Sequence, residues 1–307
     1  MSVVVADNVS KWYGPVLGVS DVSWQLAGGI VGLLGPNGAG KSSLIKLMTG
    51  LIAPSRGTVT VFGANPFVDP EVRRRIGYAP EHEQTWDELT ARELVTAMAK
   101  LSGVPGAKAR AAAEDALAKV GMTKAMNRRV AGYSKGMRQR TKLATAIAHD
   151  PDFLLLDEPL TGVDPVARAE IIDQIKALAA LGKTVVVSSH VLYEIEALTT
   201  EILVIYRGQV LANGNVYEIR KLIDQRPHRI RIECDRPRDL AARLVESEHV
   251  VRVGFERGGV LVETRDPDRC YDQIGEAVTS GGIAIGLLSS PDNNLGAVFE
   301  YLTGERR

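Results

Sequence analysis

Gly35-Pro36-Asn37-Gly38-Ala39-Gly40-Lys41-Ser42 follows the apolar run Ile30-Val31-Gly32-Leu33-Leu34 and precedes Ser43-Leu44-Ile45-Lys46-Leu47-Met48. The eight residues match G-x-x-x-x-G-K-[ST], and the flanks supply the strand and the helix that this motif needs around it. Gly35, Gly38 and Gly40 let the backbone turn tightly and point successive N–H groups inward, which makes an anion-binding nest. The following helix adds the positive end of its dipole at the same spot. Lys41 then brings a full charge to the β- and γ-phosphates of a nucleoside triphosphate, and the Ser42 hydroxyl is placed to ligate Mg2+.

Outward from that loop, short β-branched runs alternate with long Ala/Leu-rich stretches up to about residue 222, the texture of an α/β domain. Val3-Val4-Val5 and Val22 to Leu26 suit an antiparallel edge subdomain. Ile30 to Leu34, Phe153 to Leu156 and Thr184 to Val187 are near-continuous apolar runs, as parallel strands buried on both faces require. From Thr90 to Lys119 the pattern is helical and Ala-rich, broken by the turn Ser102-Gly103-Val104-Pro105-Gly106. The reading is a domain over 1–222 with a helical subdomain inserted at about 85–150. Beyond Gln225-Arg226-Pro227 the order becomes β-α-β-β-α-β. It runs through Arg229 to Glu233, Pro237 to Val245, a hairpin around Gly258-Gly259, Arg269 to Val278 and Ile283 to Leu288, with a last helix near Leu295 to Leu302. That predicts a small α+β, ferredoxin-like domain over 226–307.

Asp157-Glu158 ends the apolar run Phe153-Leu154-Leu155-Leu156. In a parallel sheet such a strand end opens onto the ligand crevice. Asp157 is expected to hold Mg2+ and Glu158 to polarise the attacking water as general base. Lys+Arg and Asp+Glu number 37 each in 307 residues, a balance that gives no electrostatic case for nucleic acid or anionic lipid as main partner. Hydrophobic residues at 45% and charged residues at 24% argue for a folded chain. Cys234 and Cys270 stand far apart, so neither a disulfide scaffold nor a zinc site is expected. No leader and no bilayer-length apolar run is visible, so the membrane part of any membrane process is expected on another chain.

Further motifs identify a family. Asp157-Glu158-Pro159-Leu160-Thr161-Gly162-Val163-Asp164-Pro165 resembles the Walker B and D-loop run of ABC-transporter ATPases. Tyr133-Ser134-Lys135-Gly136-Met137 stands where that family carries its signature, and Ser188-Ser189-His190 where it carries its switch histidine. The resemblance covers roughly Val3 to Ile219 and matches the C-terminal part far more loosely. It implies a P-loop ABC ATPase core that binds ATP through Gly35 to Ser43 (Gly35, Pro36, Asn37, Gly38, Ala39, Gly40, Lys41, Ser42 and Ser43), with Tyr13 stacking on adenine. Lys41, Glu158 and His190 become the catalytic set, and Ser42, Glu81 and Asp157 the Mg2+ ligands. It further implies a head-to-tail dimer of two copies. In it Ser134, Lys135 and Gly136 of one copy cap the ATP of the other, and Asp164 links the halves.

Two positions depart from the family's commonest pattern. Tyr133-Ser134-Lys135-Gly136-Met137 replaces Leu-Ser-Gly-Gly-Gln, and Glu81 stands where many members have glutamine, its charge altering the local balance. Both are similar to the branch whose permeases are of the second ABC type, which implies export of drugs, lipids, polysaccharides or antibiotics. The expected setting is therefore the cytoplasmic face of the cell membrane, through a separate integral-membrane permease. The rival readings are a soluble ABC ATPase acting on ribosomes or chromosomes and a regulator without hydrolysis. The single cassette, the compact helical interval and the complete set Ser42, Asp157 and Glu158 argue against both. His82 to Glu93, which includes Trp86, is expected to receive the permease's coupling helix. The run Arg73-Arg74-Arg75 reads as a solvated helix face.

Overall fold

The computed structural model describes residues 2–82, 86–217, 227–256 and 258–290. The chain divides into two compact units, Met1–Asn215 and Val216–Arg307. The first begins with β1 (Val4–Tyr13), β2 (Val16–Leu26), β3 (Ile30–Leu34), α1 (Lys41–Met48), β4 (Arg56–Val61), α2 (Pro70–Arg74) and β5 (Ile76–Ala79). Three helices follow, α3 (Ala91–Leu101), α4 (Gly106–Lys119) and α5 (Lys135–Ile147). It closes with β6 (Phe153–Leu156), α6 (Pro165–Ala180), β7 (Thr184–Ser189), α7 (Leu192–Glu196), β8 (Glu201–Tyr206) and β9 (Gln209–Asn215).

β1 pairs antiparallel with β2 on one edge and with β4 on the other. The alternation that makes β2 an edge-sheet strand is visible in its burial, with Val22, Trp24 and Leu26 buried and Asp21, Ser23 and Gln25 exposed. The main sheet has the order β5-β6-β7-β3-β8-β9, parallel from β5 through β8 and closed by antiparallel β9. Phe153, Leu154, Leu155 and Leu156 are fully buried, as a parallel strand covered on both faces must be. β4, β5, β8 and β9 were not visible in the sequence as strands of these sheets. β7 runs on beyond Val187 through Ser188 and Ser189, two polar residues that are buried because their hydroxyls are bonded.

The register places the chemistry. Leu34 is level with Ser189, and Leu156 with Val187, so β3, β6 and β7 finish along one edge of the sheet. The phosphate loop, the acid pair and His190 each begin at that edge. Helix α3 starts with a capping box between Thr90 and Glu93, and these bonds hold the Glu93 carboxyl below its ordinary range. The turn after Leu101 lets α4 fold back, burying Ala109, Ala113 and Ala116, whose small side chains permit close packing. The arginine run is not simply solvated. Arg73 donates to the carbonyls of Pro66 and Phe67, while Arg75 pairs with Asp152 at 2.7 Å and stacks 3.7 Å over Phe62.

The second unit contains β10 (His228–Cys234), α8 (Pro237–Val245), β11 (Val250–Glu256), β12 (Gly259–Thr264), α9 (Pro267–Thr279) and β13 (Ile285–Ser289). Its antiparallel sheet has the order β11-β12-β10-β13. Ile230, Ile232, Leu240, Leu244, Val260, Val262 and Ile274 form its core. The expected helix near Leu295 to Leu302 and the boundary at 222–226 lie outside the described residues, as do residues 83–85 of the expected coupling surface.

Candidate active site

At the end of β3 the chain enters Gly35 to Gly40 and α1. Gly40 takes φ +106° at the N-cap of α1, and a side chain there would meet the Gly18 carbonyl oxygen at 2.4 Å. Only glycine satisfies both demands. The loop is clasped from the β8–β9 turn, where the Gly208 amide donates to the Ala39 carbonyl at 2.8 Å. Tyr13 stands beside it, 42% exposed as a residue, with its hydroxyl bonded to Ser43 at 3.2 Å next to the start of α1. Trp12 is comparably exposed, but its described backbone contact is to Ser55.

The buried Lys41 ammonium donates to the carbonyls of Gly35 at 2.7 Å and Pro36 at 3.2 Å. It also lies 3.1 Å from Glu158 Oε1, an ion pair without hydrogen-bond alignment. Glu158 is buried and sits at φ +51°, a left-handed conformation that turns the chain sharply out of β6. Its other oxygen, Oε2, accepts from Thr161 Oγ1 at 2.8 Å and faces His190 Nδ1 at 2.9 Å. A carboxylate at that distance sets the imidazole proton on Nδ1. Lys41, Glu158 and His190, which the resemblance implied as one catalytic set, thus lie in one chain of polar contacts with Glu158 at its centre.

Asp157, the residue before Glu158, is buried; its Oδ1 accepts from Ser188 Oγ at 2.6 Å, and that same hydroxyl oxygen accepts from the Glu158 amide at 2.8 Å. One serine therefore ties the Asp157 carboxylate to the Glu158 backbone. Among the described residues Asp157 makes no ion pair, so a buried carboxylate stands without a protein cation. That fits Mg2+, a hard cation that takes oxygen donors such as Asp157 and the Ser42 hydroxyl. Negative charge in this corner also reaches Tyr78, whose phenol is pushed up to about 12 by burial, then by Asp157 and Glu81. Glu81 is exposed and lines an open cleft of about 470 Å3 with His82, Lys135, Arg138, Gln139, Glu158 and Thr161.

The segment from Tyr133 to Met137 is positioned by packing. Ser134 caps α5, accepting from the Met137 amide at 3.3 Å, and is exposed. Gly136 is buried against α6, where a Cβ would lie 2.8 Å from the Ala167 Cβ, so a glycine is needed for the close approach. Lys135 lies over Gly162, where a Cβ would meet its Nζ at 2.2 Å. Asp164 caps α6 through a 2.9 Å bond from the Ala167 amide. Tyr13 and Ser134 are not among the residues lining the cleft. Sequence reasoning did not single out Thr161, Ser188, Gly208 or Arg168. Ser188 and Thr161 lie within quoted motifs, and their hydroxyls were the available signal; Gly208 and Arg168 carried none.

A parallel sheet whose edge gathers a glycine-rich loop of the phosphate-binding pattern, an acid pair and a histidine defines a nucleoside triphosphatase of the phosphate-loop class. The ABC transporter family model matches residues 19–161. The daunorubicin/doxorubicin resistance ATP-binding protein of Streptomyces peucetius is 34% identical over 305 residues, covering 98% of this chain and 92% of that protein. The Nod factor export ATP-binding protein I of Sinorhizobium fredii is 34% identical over 97% of this chain and 84% of its own length. Among solved structures, an ATP-binding subunit of an ABC transporter shares 28% identity with a TM-score of 0.63, covering 71% of this chain and 92% of that one. A dimeric ATP-binding cassette in a post-hydrolysis state with ADP and Pi shares 25% identity with a TM-score of 0.63, over 69% of this chain and 98% of that one. The chain belongs to the ABC transporter family: it is an ATP-binding, ATP-hydrolysing transporter subunit. Among the described residues no helix is long and apolar enough to cross a membrane.

Proposed function

We propose that this chain energises an exporter: it hydrolyses ATP at the edge of β3, β6 and β7 and drives a separate integral-membrane permease from the cytoplasmic face of the membrane. The observation that carries this reading is the near full-length likeness to a drug-resistance ATP-binding protein, which extends through the second unit as well as the first. Two copies act head to tail, Ser134, Lys135 and Gly136 of each capping the ATP bound by Gly35 to Ser43 of the other, with Asp164 at the junction. The exposure of Ser134 and Asp164, each at the head of a helix, supports that arrangement. Residues 1–222 are the nucleotide-binding domain, with the helical subdomain at about 85–150, and 226–307 a ferredoxin-like accessory domain, for which the β-α-β-β-α-β order and the sheet order speak. The exposed Trp86 supports reception of a permease helix on that side of the helical subdomain.

Within the site, Tyr13 stacks on adenine and Lys41 meets the β- and γ-phosphates, its charge matched to the negative charge that builds in phosphoryl transfer. Glu158 orients the attacking water and accepts its proton, and His190 holds the Glu158 carboxylate and the terminal phosphate in one line. Ser42, Asp157 and Glu81 are the Mg2+ ligands; the ion, when bound, neutralises phosphate charge. The test is Glu158→Gln, which keeps the side-chain volume and removes the base. Phosphate release should fall about 10²- to 10⁴-fold while ATP still binds, and the variant with ATP should elute as a dimer by light scattering. Turnover near the parent rate would overturn the general-base role, and a monomer with ATP bound would overturn the dimer.

A further inference from the structure

Arg168, on the first turns of α6, reaches three places at once. Its Nη2 donates to the Val163 carbonyl at 3.3 Å, immediately before Asp164. Its Nη1 donates to the Tyr193 hydroxyl at 3.0 Å, with the guanidinium 5.7 Å from that ring. Its Nε lies 3.5 Å from Glu194 Oε1. Glu194 is itself buried, at 4% side-chain exposure, and among the described residues Arg168 is the one cation within salt-bridge distance of it. A buried carboxylate keeps its place only when charge and hydrogen bonds compensate it.

The other oxygen of Glu194 shows what that place is for. Oε2 accepts from Ser189 Oγ at 2.7 Å, and Ser189 Oγ accepts in turn from the Val191 amide at 3.0 Å. Ser189 and Val191 flank His190, so the backbone that carries the histidine is held from both sides through Glu194. At the far end, Val163 is the residue that a Cβ on Gly136 would approach at 3.5 Å. A continuous path therefore runs from the packing contact of Gly136, through the Val163–Asp164 turn, Arg168, Glu194 and Ser189, to His190 and its 2.9 Å bond to Glu158.

We propose that Arg168 and Glu194 are positioning residues for ATP hydrolysis, coupling the turn that bears Asp164 to the placement of His190. Neither touches the reacting atoms. Their part is to make the histidine's position depend on the geometry of the turn. This rests on the role given to His190 above.

The experiment measures steady-state phosphate release by the full chain for Arg168→Ala, Glu194→Gln, His190→Ala and the doubles Arg168→Ala/Glu194→Gln and Arg168→Ala/His190→Ala. Glu194→Gln keeps an acceptor for Ser189 and removes only the charge, so it serves if Arg168→Ala fails to fold. Each of the first two should lower kcat about tenfold with KM for ATP within about twofold, as expected when an interaction matters in the transition state alone. The first double should be no slower than its slower single, and Arg168→Ala should add no further loss on His190→Ala, since residues acting as one unit are not additive. Arg168→Lys should recover part of kcat. The coupling is overturned if the losses multiply in the doubles, if KM alone moves, or if kcat per folded molecule equals that of the parent. His190→Ala with undiminished kcat overturns instead the role of the histidine itself, and so separates the two failures.

Discussion

The two units of this chain are built from the same materials and use them oppositely. Each packs helices on a sheet around an apolar core. The first also buries Lys41, Asp157, Glu158, Ser188, Ser189 and Glu194, whereas among the described residues of the second Thr264 is the one buried polar side chain. Thr264 spends its hydroxyl on local backbone bonds to His249 and Asp266. Buried charge opposes folding unless it is matched, so its concentration at one sheet edge marks where function has been built against stability. The described residues of the second unit carry no such mark and read as a packed core.

That contrast can be broken most forcefully at Lys41. Lys41→Ala should weaken ATP binding by about 10- to 100-fold, the worth of charge-assisted hydrogen bonds. It should also cost about 3–5 kcal/mol of stability, because a buried carboxylate loses its cation. Thr161 and His190 remain on Glu158 and hold the cost to the lower end. Nucleotide titration and denaturant melts check the two parts separately; an unchanged titration curve would remove Lys41 from the phosphate site.

Next in size is Ile232→Ala, in the middle of β10, which should cost about 2–5 kcal/mol through cavity formation. The loss should appear in unfolding of the second unit, with ATP affinity unaltered. A parallel fall in ATP affinity would show that the units are not energetically separate. The smallest effect concerns Cys270, whose thiol is pushed from its ordinary 9.0 to about 11 by burial and then by Asp266. Between those values the unfolded chain has released this proton and the folded chain has not, so the contribution of Cys270 to stability falls as pH rises through that window. Alkylation followed by mass spectrometry should leave Cys270 unmodified at pH 8 in the folded protein. Rapid labelling there would show that the second unit's core opens.

Much of the first unit was legible because its signals are local. The phosphate loop, the apolar run ending in Asp157-Glu158 and the Ser188-Ser189-His190 stretch each announce a strand end in a few residues. What was illegible is relational. β5 and β8 are short strands whose place depends on neighbours distant in sequence. The run of contacts from Lys41 through Glu158 to His190 exists only because β3, β7 and β6 lie side by side. Arg168 looked like any helix-surface cation, and only the fold reveals that it spans Val163, Tyr193 and Glu194. Gly208 looked like an ordinary turn glycine, yet its amide clasps the phosphate loop. The arginine run is exposed, as a solvated face requires, but a charged triplet carries no indication that Arg75 will stack on Phe62.

The left-handed backbone at Glu158 sets selection for durability against selection for turnover. A residue other than glycine in that conformation costs about 1–2 kcal/mol, and glycine would relieve it while deleting the carboxylate. In a lineage screened for heat tolerance alone, this codon would drift toward glycine or asparagine. Under the general-base role proposed for Glu158, a lineage that must keep hydrolysing ATP would keep it, and position 158 would record whether a descendant is still an engine.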